Sequence, residues 1–109
     1  MAAKNKARGN RLEYKIVKLA EKYGLKAKRA WGSDGRSMGL VEQVDVLLEG
    51  KIKLQCKMRK KFPQWMNVEE GVDYQVVQTD HKPPMIIMPI EEYLEMFLLA
   101  KGLRRFKHE

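Results

Sequence analysis

Apolar positions along the chain change period several times, and each change marks a predicted element. From Asn10 onward, Leu12, Ile16, Leu19, Ala20 and Tyr23 recur at helical spacing, with Lys22 in the last turn and Gly24 as the stop. Residues 25–31 alternate Leu25, Ala27 and Trp31 with basic positions and predict a first strand. The stretch GSDGRSMG, residues 32–39, holds three glycines and two serines and predicts a loop. Alternation then returns. Val44, Val46 and Leu48 point one way and Asp45 the other, while Ile52, Leu54, Cys56 and Met58 oppose Lys53, Gln55 and Lys57, so with Glu49-Gly50 as the turn this reads as a β-hairpin. Pro63 suits the first turn of a short helix ending near Gly71, in which Trp65 reads as a packing anchor. Residues 72–79 and 85–89 predict two more strands joined by Asp-His-Lys-Pro-Pro. The last helix, residues 90–101, spreads Tyr93, Met96 and Leu99 around a stripe of Ile90, Leu94, Phe97 and Leu98, more apolar surface than one face hides, which predicts a subunit interface.

The hairpin carries the first chemical signal. Because side chains alternate faces, a two-residue loop at Glu49-Gly50 would set Asp45 beside Leu54. An odd loop with Gly50 at positive φ sets it with Gln55 and Lys57 instead. A carboxylate on a strand built for burial is costly unless it is paired or binds a cation. A functional site therefore requires the odd loop, and Asp45 is its first candidate. Glu13 borders the helical stripe, where a carboxylate can reach a neighbouring sheet or simply favour the helix dipole.

Length and charge narrow the partner. The 109 residues suit one domain, expected over 9–103 with a loose basic arm at 1–8 and a basic tail at 104–109. Charged residues make up 33%, with a net charge of +8, which suits a polyanion such as nucleic acid. One cysteine excludes an internal disulfide, and two scattered histidines offer no zinc spacing. No apolar run is long enough for a membrane span and no signal-peptide pattern opens the chain, so the expected setting is cytoplasmic. Arg59, Lys60 and Lys61 directly follow the hairpin as a basic run, and Arg8, Arg29 and Arg36 add cations that can meet phosphate. Arg29 can equally pair with a carboxylate at the site.

Asp45, nine intervening residues, then Gln55-Cys56-Lys57 is similar to the PD-(D/E)XK nuclease signature, with Gln55 where an acid is usual. Together with Gly9-Asn-Arg-Leu-Glu13, Arg29, Gly32-Ser33, the run Arg59-Lys60-Lys61-Phe62-Pro63-x-Trp65 and Met88-Pro89-Ile90-Glu91-Glu92, the chain resembles the archaeal-type Holliday-junction resolvases, phage-encoded relatives above all. The resemblance covers roughly residues 8–100. It implies an α/β (α+β) restriction-endonuclease-like fold, a central mixed five-stranded sheet flanked by helices. It also implies a homodimeric, metal-dependent endonuclease that cuts four-way DNA junctions symmetrically. Glu13, Asp45, Gln55 and the Cys56 backbone carbonyl would surround Mg²⁺ or Mn²⁺, Lys57 would stand by the attacked phosphate, and Ser33 would contact phosphate. Arg8, Arg11, Arg29, Arg36, Arg59, Lys60 and Lys61 are the expected DNA contacts. Two alternatives stand beside it: a DNA-binding protein that has lost cleavage, and a nuclease acting on another DNA structure.

Overall fold

The computed structural model describes residues 2–30, 32 and 34–108 of the chain, with side chains described from 9 to 102 apart from 31 and 33. The backbone forms two compact units, Met1–Met58 and Arg59–Glu109.

The first unit packs one helix on one sheet. Helix α1 (Ala2–Lys22) starts earlier than the apolar stripe predicts. Ala2, Ala3, Lys4, Lys6 and Ala7 are strong helix formers, so the backbone of residues 2–8, expected as an arm, continues the helix. After the Gly24 stop, which has φ 73°, come strands β1 (Ala27–Arg29), β2 (Val46–Leu48) and β3 (Ile52–Leu54). β2 is the centre of a three-stranded antiparallel sheet, with Ala27 opposite Leu48 on one side and Val46 opposite Leu54 on the other. Ile16 and Ala20 of α1 are buried, as are Leu25, Ala30, Val44, Val46 and Leu48, and this set is the core of the unit. Val44, Val46 and Leu48 face inward as their period requires, whereas Ile52, Leu54 and Cys56 on the other arm of the hairpin are half-buried and Met58, expected on the same face, is exposed.

The segment 32–39 contains more order than its composition suggests. Asp34 caps a 3₁₀ turn, Gly35–Met38, by accepting the Arg36 N–H at 3.0 Å, and Gly39 closes it at φ 75°. Gly35 is buried, and a Cβ there would strike the Val41 carbonyl and the Val44 side chain. The close approach of backbone to β2's entry therefore demands glycine.

The second unit is built on a two-stranded antiparallel sheet, β4 (Gln75–Val77) with β5 (Met85–Ile87), followed by α2 (Ile90–His108). Glu91 and Glu92 in the first turn of α2 complement its dipole, and the Tyr74 hydroxyl donates to Glu92, which raises the phenol's pKa. α2 runs on through Gly102 rather than stopping there, so the backbone of the expected tail, up to residue 108, is helical. Leu94 is fully buried and Met96 and Leu99 are exposed, as the spread of apolar positions anticipates, whereas Leu98, expected in the stripe with Leu94, is also exposed.

Two expectations need correction. Among the described residues the strands form two antiparallel sheets of three and two, not one mixed sheet of five. Short links join β2 to β3 and β4 to β5, and a short link joins antiparallel neighbours, whereas a parallel pair needs a long crossover, usually helical. Trp65, expected to anchor packing, is 58% exposed and contributes its carbonyl to the Gln75 side-chain amide. Among the described residues no helix is long and apolar enough to cross a membrane.

Candidate active site

Hairpin register is the first determinant of the site. Leu48 pairs with Ile52, so the loop holds three residues, Glu49, Gly50 and Lys51. Glu49 and Gly50 both take positive φ, 53° and 70°. Glu49 is held there from two sides: its N–H donates to the Lys26 carbonyl at 2.7 Å and its Oε2 accepts the Lys26 N–H at 2.6 Å. The odd loop that the chemistry requires is the loop that forms.

Asp45 enters β2 from this register. Its N–H donates to the Leu54 carbonyl and its own carbonyl accepts from the Ala30 N–H, both at 2.8 Å, so the backbone is clamped between β1 and β3. The side chain is 8% exposed, and Oδ2 accepts the Cys56 N–H at 2.7 Å. Oδ1 has no hydrogen-bond donor among the described residues.

Glu13 lies on the buried side of α1, 3% exposed, with Oε1 accepting from Arg29 Nε at 3.0 Å. Arg29 also donates from Nη1 to the Tyr14 hydroxyl at 3.2 Å and lies 4.4 Å from the centre of the Tyr14 ring. Of the two roles open to Arg29, the carboxylate pairing is the one formed. The tyrosine beneath it restricts the guanidinium to that direction.

The two carboxylates act on one group. Burial, then the charge of Asp45, then that of Glu13 push the Cys56 thiol from its ordinary value of 9.0 up to about 11. Glu13, Asp45 and Cys56 thus share one electrostatic neighbourhood, in which Arg29 pairs with Glu13.

Other expected residues are elsewhere or otherwise engaged. Gln55 and Lys57 are exposed at the end of β3 and neither hydrogen-bonds nor ion-pairs with the carboxylates. Arg36 is tied to Asp34, Nη2 to Oδ2 at 2.6 Å, with Glu42 at 3.7 Å, and its hydrogen bonds hold the Asp34 carboxyl below the usual range. Arg11 is exposed on α1. Arg59, Lys60 and Lys61 are exposed and begin the second unit. Ser33 and the Arg8 side chain lie outside the described residues. Two participants were not singled out from the sequence: Tyr14, and the thiol of Cys56 as distinct from its carbonyl. The position of Cys56 in the apolar register of β3 was the available signal for the thiol.

Among the described residues no group of three or more His, Cys, Asp or Glu side chains is gathered closely enough to hold a metal ion. The donors are nonetheless of the right kind for a hard cation. Carboxylate, amide and backbone carbonyl oxygens suit Mg²⁺, which commonly uses only one or two carboxylates and keeps several waters. Asp45 Oδ1, without a hydrogen-bond donor among the described residues, leaves one carboxylate oxygen available for such an ion.

No family model matches the chain, and neither does any curated protein or solved structure.

Proposed function

We propose that the chain is a divalent-metal-dependent endonuclease acting on branched DNA, with the four-way junction as its substrate. The observation that carries the metal-dependent part is Asp45: a buried carboxylate, fixed by backbone bonds to both neighbouring strands, with one oxygen lacking a described donor and a second buried carboxylate close enough for both to perturb Cys56. The net charge of +8 supports a polyanionic substrate, and the likeness to junction resolvases in residue order supports the branched one.

Glu13 and Asp45, with the Gln55 amide oxygen and the Cys56 carbonyl, would hold the ion. Bound there, Mg²⁺ or Mn²⁺ supplies a more acidic water and offsets charge on the phosphoryl oxygens. The protein's own part is positional and electrostatic. Arg29 holds Glu13 in place at 3.0 Å, and the Cys56 N–H orients Asp45 at 2.7 Å. Lys57, exposed on the chain just beyond, offers an ammonium to the phosphate undergoing attack. Symmetric cutting of two strands requires a homodimer, and the exposed apolar residues of α2 are the surface we assign to it.

A binding-only protein is the second reading, favoured by the lack of a hydrogen bond or ion pair from Gln55 or Lys57 to either carboxylate and by the neutral side chain of Gln55. The test is nicking of a synthetic four-way junction in Mg²⁺ or Mn²⁺ by wild type and by Asp45→Ala. Cleavage by the wild type alone supports the nuclease. Junction binding by both with cleavage by neither, across metals and pH, leaves the binding-only reading. Equal cutting of linear duplex and junction would keep the nuclease and remove its branched substrate.

A further inference from the structure

Helix α1 carries a second charged feature on the side away from Glu13. Arg11, Lys15, Lys18 and Lys22 follow one another at spacings of four, three and four residues, which at about 100° per residue keeps them within one narrow stripe. Glu13, Ile16 and Ala20, all buried, lie on the opposite side of the same helix. The four basic residues are exposed and, with Tyr14 and Leu19, line a shallow groove of about 460 Å³. Among the described residues no carboxylate lines that groove. Like charges stacked on adjacent turns repel one another, so the stripe is unfavourable for the isolated helix and gains from an anionic partner.

We propose that this stripe is a second DNA-binding surface, which grips the phosphate backbone of a duplex arm separate from the strand at the Glu13–Asp45 site. Charge complementarity is the argument. From Arg11 to Lys22 the stripe extends about 16 Å along the helix, comparable to the axial length of about five phosphates of one strand. Tyr14, whose hydroxyl already accepts from Arg29, and Leu19 flank the cations and bring no negative charge to the groove. The surface recognises charge and not base edges, so it binds duplex DNA without regard to sequence. It rests on the proposed function only for DNA as the partner.

The experiment is a fluorescence titration of the full chain against a labelled duplex of about 30 base pairs, at several salt concentrations and without divalent metal. Wild type is compared with the triple variant Lys15→Gln, Lys18→Gln, Lys22→Gln and with the corresponding triple arginine variant, all checked for equal helix content. Each lost phosphate contact flattens the slope of log K against log salt by about 0.9, so the glutamine variant should be shallower by about 2–3 and bind at least tenfold more weakly near 0.1 M salt. The arginine variant should retain the wild-type slope. An unchanged slope in the glutamine variant overturns the proposal, as does salt-sensitive binding of phosphatidylserine vesicles through these lysines with no effect on DNA. Omitting metal separates this test from cleavage. A shallower slope in a protein that never nicks a junction upholds the surface and removes the nuclease reading, and an unchanged slope with Asp45-dependent nicking does the reverse.

Discussion

Replacing Arg29 by methionine removes the cation beside a carboxylate that is 3% exposed, while keeping most of the apolar stem. Breaking a fully buried ion pair from one side costs about 3–5 kcal/mol, because the remaining charge has lost its compensation. Arg29 itself is 20% exposed, so water can reach the vacated position, and an exposed pair contributes only about 0–1 kcal/mol. Glu13 also has interactions beyond Arg29, which lowers the estimate further. Loss of the cation 4.4 Å from the Tyr14 ring centre adds roughly 0.5–1 kcal/mol. The sum is about 2–3 kcal/mol, a fall in Tm on the order of 10 °C. Glu13→Gln should cost less, about 1 kcal/mol, since the guanidinium it leaves is the better solvated partner and the amide can still accept a bond. The decisive measurement is the double-mutant cycle by urea denaturation. With the charge of Glu13 removed first, Arg29→Met should lose most of its effect, giving a coupling of about 1–2 kcal/mol. Additive single effects, or an Arg29→Met cost below about 0.5 kcal/mol, would refute the view that Glu13 is buried as an anion held by Arg29.

Leu48→Ala, at a fully buried position on the central strand, should lower stability by about 3 kcal/mol in the same denaturation assay, and a loss under 1 would contradict its placement in the core. Gly35→Ala forces a methyl group against the Val41 carbonyl and Val44, and should cost at least about 1–3 kcal/mol, whereas Gly50→Ala meets open space and pays only for its positive φ of 70°. Cys56 should alkylate slowly. With its pKa raised to about 11, the folded thiol carries roughly a hundredfold less thiolate at pH 8 than the unfolded chain, whose thiol titrates near 9.0. Because the folded value is the higher one, the stability this thiol contributes is complete below pH 9 and is lost as pH rises towards 11. Asp45→Asn should move the midpoint of alkylation down, and an unchanged midpoint would remove that carboxylate from its surroundings, whereas equal rates in native and unfolded protein would contradict the burial of the thiol.

What the sequence alone determined is local. Alternation in residues 44–48 identified the buried face of the hairpin, and the helical stripe Leu12, Ile16, Leu19, Ala20 identified the packed side of α1, because period is a property of the backbone that side-chain burial must follow; in residues 52–58 the same alternation gave the strand but not a buried face, since Met58 is exposed. The choice between an even and an odd hairpin loop was not settled in that pattern. It depends on Glu49 holding positive φ through two bonds to Lys26, a residue far away in the chain. Strand partnership also lay beyond the pattern, since alternation says which residues face inward and nothing about which edge accepts which; hence two antiparallel sheets where one mixed sheet was expected. At the site, residue types nominated Glu13 and Asp45, but only the folded chain decided that Arg29 reaches Glu13, that the Cys56 N–H reaches Asp45, and that Gln55 and Lys57 face solvent. Those are pairings of groups brought together by packing, and free energies of burial and pairing act on neighbours in space, whatever their separation along the chain.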